Sequence, residues 1–174
     1  MFAATDVQYL PAGGARAALV LAADAAFSRI AVEDTVLVAE VAPYRPGEFF
    51  RRELPPLRAV LAGALPDVEL LVIDGYVDLD PSGKPGLGAY AHNEIGVPVI
   101  GVAKTRFATA THAIPVLRGQ ATQPLYITAA GLPRSDAAAL VQSMSGRYRL
   151  PDALRRADQL ARGRAAARRS TREH

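Results

Sequence analysis

The sequence contains no cysteine, no tryptophan, two methionines and three histidines, His92, His112 and His174. Without thiols there is no disulfide, no thiolate nucleophile and no thiolate zinc site. Three scattered histidines do not make an imidazole-rich metal site, which leaves carboxylates as the natural ligands. No apolar run approaches the roughly 20 residues that a membrane helix needs. The opening MFAATDVQYL has no basic segment followed by an apolar stretch, so no secretory leader is expected and the expected compartment is the cytoplasm. Lysine is scarce as well: Lys84 and Lys104 are the only two.

What is present is ordinary for a globular chain. Its 174 residues, half of them hydrophobic and 21% charged, suit one domain with a substantial core. The net charge of +3 is unevenly spread. Residues 155–174 hold seven arginines against Asp158 and Glu173, while the remainder carries 13 basic and 15 acidic groups. That C-terminal stretch suits a polyanion, or simply a helix end fraying into a solvated tail. The expected organisation is one domain over 1–162 and an arginine-rich tail over 163–174.

Strands are expected over Phe2–Tyr9, Arg16–Ala23 and Thr35–Val41, joined by polar and glycine-rich connectors as an antiparallel meander. Pro43-Tyr44-Arg45-Pro46-Gly47 cannot be regular, and a helix is expected from Glu48 to about Leu65. Glu69–Asp74 and Val97–Ala103 are the short apolar runs of strands buried on both faces. A loop over 75–88 and a short helix to Ile95 lie between them. One or two edge strands are expected within 105–125, then helices over Ser135–Met144, with Ser135 as N-cap, and Asp152–Ala166. Three antiparallel strands followed by alternating helices and strands make an α/β domain with a mixed sheet of the ribonuclease-H-like kind.

That order singles out three acids. Asp6 lies in the first strand, and Asp74 at the carboxyl end of the fourth, where α/β sheets form their ligand crevice. If these strands pair in parallel, the two carboxylates meet, and the first helix can bring Glu53 to the same place. Glu53 can equally sit on a solvated helix face. Three converging acids would bind a hard divalent cation such as Mg²⁺, which activates water for attack at phosphorus.

At these residues the sequence resembles the endonuclease V family of metal-dependent nucleases acting on deoxyinosine. Asp6-Val7-Gln8-Tyr9, Pro43-Tyr44-Arg45-Pro46-Gly47, Phe50-Arg51-Arg52-Glu53 and Val72-Ile73-Asp74-Gly75 follow family motifs in order. So do Ile100-Gly101-Val102-Ala103-Lys104, and Tyr148-Arg149-Leu150-Pro151 with Arg156-Ala157-Asp158. The resemblance implies that Asp6, Glu53 and Asp74 hold Mg²⁺ or Mn²⁺, and that cleavage falls 3′ to the lesion in a DNA repair role. It implies Lys104 at the scissile phosphate, Arg52 at the nucleic-acid backbone, Tyr44 as a wedge between base pairs, and Gly75 lining the pocket of a flipped base. The partner is nucleic acid, DNA ahead of RNA, and the chain is expected to be a monomer.

The sequence also departs from the family. The usual Asp-Gly-His-Gly or Asp-Gly-Gln-Gly is Asp74-Gly75-Tyr76-Val77 here, and Val77 is expected to narrow the pocket. Two family histidines align with Asp80 and Tyr90, and a late one falls at Gly131 or Leu132. Asp78, Asp80 or Asp136 are the candidates to replace the lost contact. The alternatives are a paralogue that binds distorted DNA or RNA without cutting, and an unrelated ribonuclease-H-like nuclease acting on branched or RNA-containing substrates.

Overall fold

The computed structural model describes residues 1–46 and 48–164. Strands β1 (Phe2–Tyr9), β2 (Ala15–Ala22) and β3 (Ile30–Val38) form the antiparallel meander. Gly14 turns the chain between β1 and β2 at φ +77°, and a Cβ there would stand 2.4 Å from the Val38 carbonyl oxygen, so only glycine suits. After them come α1 (Phe50–Leu61), a 3-10 turn (Leu65–Asp67), β4 (Leu70–Asp74), α2 (Leu87–Ile95) and β5 (Val99–Ala103). The chain continues with β6 (Ile114–Val116), β7 (Leu125–Ala130), α3 (Arg134–Ser143) and α4 (Asp152–Ala161). One seven-stranded sheet runs in the order β3-β2-β1-β4-β5-β7-β6. β4 is parallel to β1 and β5, and β7 is antiparallel to β5 and β6. This is the expected mixed α/β sheet.

The central strands are apolar throughout because helices cover both faces. Ala4, Val20, Val72, Ile100, Val102 and Ile127 face α3 and α4, while Ala3, Leu19, Leu71, Ile73 and Val99 face α1 and α2. Every position of β5 is buried. Among the described residues no helix is long and apolar enough to cross a membrane.

Several boundaries differ from expectation. β3 occupies Ile30–Val38 instead of Thr35–Val41, since pairing with β2 recruits Ile30–Asp34 although that stretch lies almost wholly exposed at the sheet edge. α1 stops at Leu61, where Gly63 and Pro66 leave only a 3-10 turn. It nevertheless runs through Pro55 and Pro56. β7 arises in a stretch not read as a strand, its alanine-rich end carrying little strand preference. Ser135 is not the cap of α3: Pro133 holds that position with no side-chain cap bond, and the Ser135 hydroxyl turns to Asp136. α4 ends at Ala161, not Ala166. Gly163 (φ +75°) donates to the Leu160 carbonyl and Arg164 to that of Gln159, a Schellman closure. Most of the expected tail, residues 165–174, lies outside the described residues.

One glycine couples the sheet to the loop that follows β4. A Cβ on Gly101 would stand 2.6 Å from the Gly75 carbonyl oxygen and 2.8 Å from both Thr128 Oγ1 and the Val77 nitrogen. Val77 N–H donates to that same Thr128 hydroxyl at 2.8 Å in a buried bond. Gly101→Ala is therefore expected to cost about 1–3 kcal/mol by overpacking. Urea unfolding measures it, and an unchanged midpoint would mean that the loop yields freely.

Candidate active site

The carboxyl ends of β1 and β4 lie side by side. Their parallel register reaches Thr5 opposite Ile73, which sets Asp6 and Asp74 next to one another at the end of the ladder. Alternation along the strands puts both on the face of Ala4 and Val72, the face beneath α4. Lys104, just beyond β5, keeps the same alternation from Val102, and its Nζ stands 2.5 Å from Asp74 Oδ2. Glu53 comes from α1 in the other helical layer. It is 8% exposed, not solvated, and accepts a 2.7 Å hydrogen bond from the Tyr9 hydroxyl. Arg52 lays its guanidinium 3.9 Å from the centre of the Tyr9 ring, so it braces the residue that holds Glu53.

The electrostatics report a concentration of negative charge. Burial, then the neighbouring Asp74, pushes the Asp6 carboxyl up to about 6, with Asp158 adding to the rise and the Val7 N–H opposing it. Burial pushes Glu53 up to about 7, against the Tyr9 hydrogen bond and with help from Asp6 and Asp74. Burial and Glu53 drive the Tyr9 phenol above its ordinary range. Burial alone would lower the Lys104 ammonium, but its bond to Asp74 and the fields of Asp74, Asp6 and Asp158 carry it upward.

Among the described residues no three Asp, Glu or His side chains stand ready-made as a ligand shell. Asp74 is turned to Lys104 instead. The donor chemistry nonetheless fits a hard divalent cation: three carboxylates, two of them desolvated, with Asp74 raising the proton affinity of Asp6 and both aspartates raising that of Glu53. A bound cation would relieve that repulsion.

Beside Asp74 opens a cavity of about 360 Å³, walled by Phe50, Gly75, Tyr76, Tyr90 and Phe107. Phe50 and Tyr90 stack at 3.7 Å, and the Tyr76 hydroxyl donates to the Thr105 carbonyl and accepts from Phe107 N–H. Gly75 sits at φ +135°, a conformation that side-chain-bearing residues rarely adopt. Val77 does not narrow this cavity. It is 2% exposed and points into the core against Gly88, so Tyr76 shapes the pocket instead. Tyr44 is 62% exposed. A larger cleft of about 480 Å³ between Phe27 and α4 lies away from the three acids, and its Glu33 is paired with Arg156.

A family model described as Endonuclease V matches residues 1–132. The chain belongs to the endonuclease V family. It is 32% identical to the endonuclease V of Azotobacter vinelandii, an alignment covering 95% of this chain and 83% of that one. Against that of Streptomyces coelicolor it is 31% identical over 90% of this chain and 76% of the relative. The crystal structure of Streptomyces avermitilis endonuclease V superposes with a TM-score of 0.78 at 31% identity, covering 93% of this chain and 79% of the other. Ciona intestinalis endonuclease V, solved with a 23mer DNA containing an inosine followed by a ribo-adenosine, gives a TM-score of 0.79 over 93% and 83% of the two chains. At 17% identity that likeness is one of fold.

With the family established, the departures take on different meanings. Gly131, standing where a late family histidine was sought, packs against His92 and Pro98, at the opposite end of β5 from Lys104. A histidine there would not reach the acids. Asp80 caps its own turn, accepting from Ser82 N–H and hydroxyl and from Lys84 N–H. Asp136 lies in the first turn of α3, beyond Gly131. Asp78 faces the 5%-exposed side chain of His112, Nε2 to Oδ1 3.1 Å, without hydrogen-bond alignment. The fourth acid at the site is one to which sequence reasoning assigned no role, Asp158 of α4, whose field reaches Asp6 and Lys104. Its place beside the buried Leu154, Ala157 and Ala161 was the available signal.

The raised carboxyls make stability depend on pH. Asp6 and Glu53 hold protons more tightly folded than unfolded, so their contribution is complete below their ordinary values of 3.8 and 4.5. It is lost as pH rises through about 6 and about 7 respectively. The metal-free chain is expected to lose on the order of 2–3 kcal/mol per group between about pH 4 and about pH 8. Asp6→Asn should flatten its share of that loss. Unfolding midpoints of both proteins at the two pH values check this, and parallel losses would count against it.

Proposed function

We propose that this protein is a divalent-metal-dependent endonuclease that hydrolyses a phosphodiester 3′ to a deaminated purine such as inosine, in DNA ahead of RNA, as part of DNA repair. The observation that carries the reading is the gathering of Asp6, Glu53 and Lys104 around Asp74, which itself lines an aromatic-walled pocket. The Ciona endonuclease V structures were solved in complex with inosine-containing DNA, which supports the substrate class. Asp6, Glu53 and Asp74 would hold Mg²⁺ or Mn²⁺, and such an ion supplies Lewis-acid polarisation of a phosphoryl oxygen and a more acidic bound water.

The remaining work falls to this chain's own groups. Lys104, released from Asp74, offers its ammonium to the scissile phosphate. The stacked Phe50 and Tyr90 with Tyr76 and Phe107 give a flipped base flat apolar walls, and the bare backbone of Gly75 lets it approach closely. Tyr44, exposed on its proline-flanked segment, enters the space the base leaves. Arg52 keeps Tyr9, and through it Glu53, in place, with its backbone-contact role on nucleic acid an addition to that brace. A second reading rests on the Lys104–Asp74 pair: if no cation displaces the ammonium, the protein binds distorted nucleic acid without cutting it.

An inosine-containing duplex incubated with Mg²⁺ or Mn²⁺ separates the two. A nick is expected, and Asp74→Ala should abolish it while leaving duplex binding within a few-fold, since it removes an ion ligand but no backbone contact. Unimpaired nicking by Asp74→Ala would exclude the assignment. Tyr44→Ala should slow cleavage about tenfold or more on a paired substrate and much less on a single strand, where nothing needs separating. Equal losses on both substrates would remove the wedge role.

A further inference from the structure

Lys104 is the first residue past the end of the β5–β7 ladder, whose last pair is Ala103 with Tyr126. Carbonyls beyond a ladder have lost their strand partners and must find others. At this end both are taken by one side chain. Arg149 Nη2 donates to the carbonyl of Lys104 and, at 2.7 Å, to that of Pro124. Arg149 is itself held. The segment that carries it, Met144–Arg149, presents the carbonyls of Met144, Gly146, Tyr148 and Arg149 to the guanidinium of Arg118, which is 3% exposed. The Nε atoms of both arginines are buried without a partner, a desolvation cost that a merely solubilising arginine does not incur.

We propose that Arg149 is a positioning residue for Lys104: it closes the open end of the β5–β7 ladder and fixes the backbone from which the ammonium reaches Asp74. With one nitrogen committed to two carbonyls and another buried, Arg149 is poorly placed to serve as a phosphate contact. A lysine side chain has four rotatable bonds, so only a fixed origin confines its charge. Misplacement of a reacting group by about 1 Å can cost about 100-fold in rate. The inference rests on the reading of Lys104 as the phosphate contact proposed above.

The scarcity of lysine provides a direct test. The full chain labelled with ¹⁵N-lysine has two Nζ signals, and although both lysines are exposed, Lys104 is the one whose ammonium is bonded to a carboxylate among the described residues. In the metal-free protein the Lys104 signal, held by Asp74, is expected to be protected from solvent exchange, and Asp74→Asn identifies it by removing it. Arg149→Ala should remove or shift that signal while the chain stays folded, and should lower kcat for nicking about 10- to 100-fold with KM unchanged. Arg149→Met, which keeps the apolar stem and removes only the donors, serves if the alanine variant does not fold. A folded variant with the Lys104 signal and kcat unaltered would overturn the proposal, as would a wild type with no protected signal. A wild type that shows the protected signal but never nicks would instead sink the nuclease reading.

Discussion

Parallel pairing of β1 with β4 is the constraint from which the site follows. The two strands are far apart in sequence, and nothing local holds Asp6 near Asp74. What holds them is a ladder whose side chains alternate between two helix-covered faces, with Ala4 and Val72 on one and Ala3 and Leu71 on the other. A slip of one residue would send buried aliphatic groups to the wrong face and turn one carboxylate away from the other. The register that secures the core therefore also secures the spacing of the acids. Burial of many apolar groups fixes the position of a few costly polar ones.

Those polar groups form a local imbalance. Asp6, Asp74 and Asp158 approach one another from three elements, and Glu53 enters from a fourth; Lys104 is bonded to Asp74 and Arg162 to Asp158. These pairings leave part of the charge unrelieved, as the raised carboxyls of Asp6 and Glu53 indicate. Proton, ammonium and metal ion are alternative ways of supplying the same missing positive charge. Sites that hold such a surplus are commonly functional ones, because stability alone would not assemble it.

Legibility in the sequence tracked burial. β1, β4 and β5 stood out because strands covered on both faces read as apolar runs, and Asp6 and Asp74 stood out because they interrupt or end such runs. β3 was misplaced because an edge strand has no such pattern: Glu33 and Asp34 sit in it exposed. Asp158 was passed over for a related reason. The helix segment DALRRADQLA carries two acids and two arginines; the spacing of Asp158 from Leu154, Ala157 and Ala161 was a faint signal, and packing against β1 and β2 makes plain which acid faces the site. The histidine thought missing at Gly131 or Leu132 shows the opposite error, in which a motif position was given a function before its place, just past the Val99–Ala130 pair at the far end of β5 from Lys104, was known. Val77 misled similarly, since a bulky residue beside a pocket was pictured inside it, whereas its side chain belongs to the core.

Pro55 and Pro56 lie within α1, directly after the turn that carries Arg52 and Glu53. Neither has an N–H, so the carbonyls of Arg51 and Arg52 have no rung to the next turn of the helix. Two successive missing rungs divide α1 into a short leading turn and a packed body containing Leu57, Val60 and Leu61. The leading turn is tied down chiefly by side chains, Tyr9 to Glu53, Arg52 over Tyr9, and Phe50 on Tyr90. With so few rungs joining them, the leading turn is expected to open without unfolding the body of the helix. Hydrogen exchange is accordingly expected to be graded along a single helix, with the amides of Arg52 and Glu53 opening ahead of those of Val60 and Leu61.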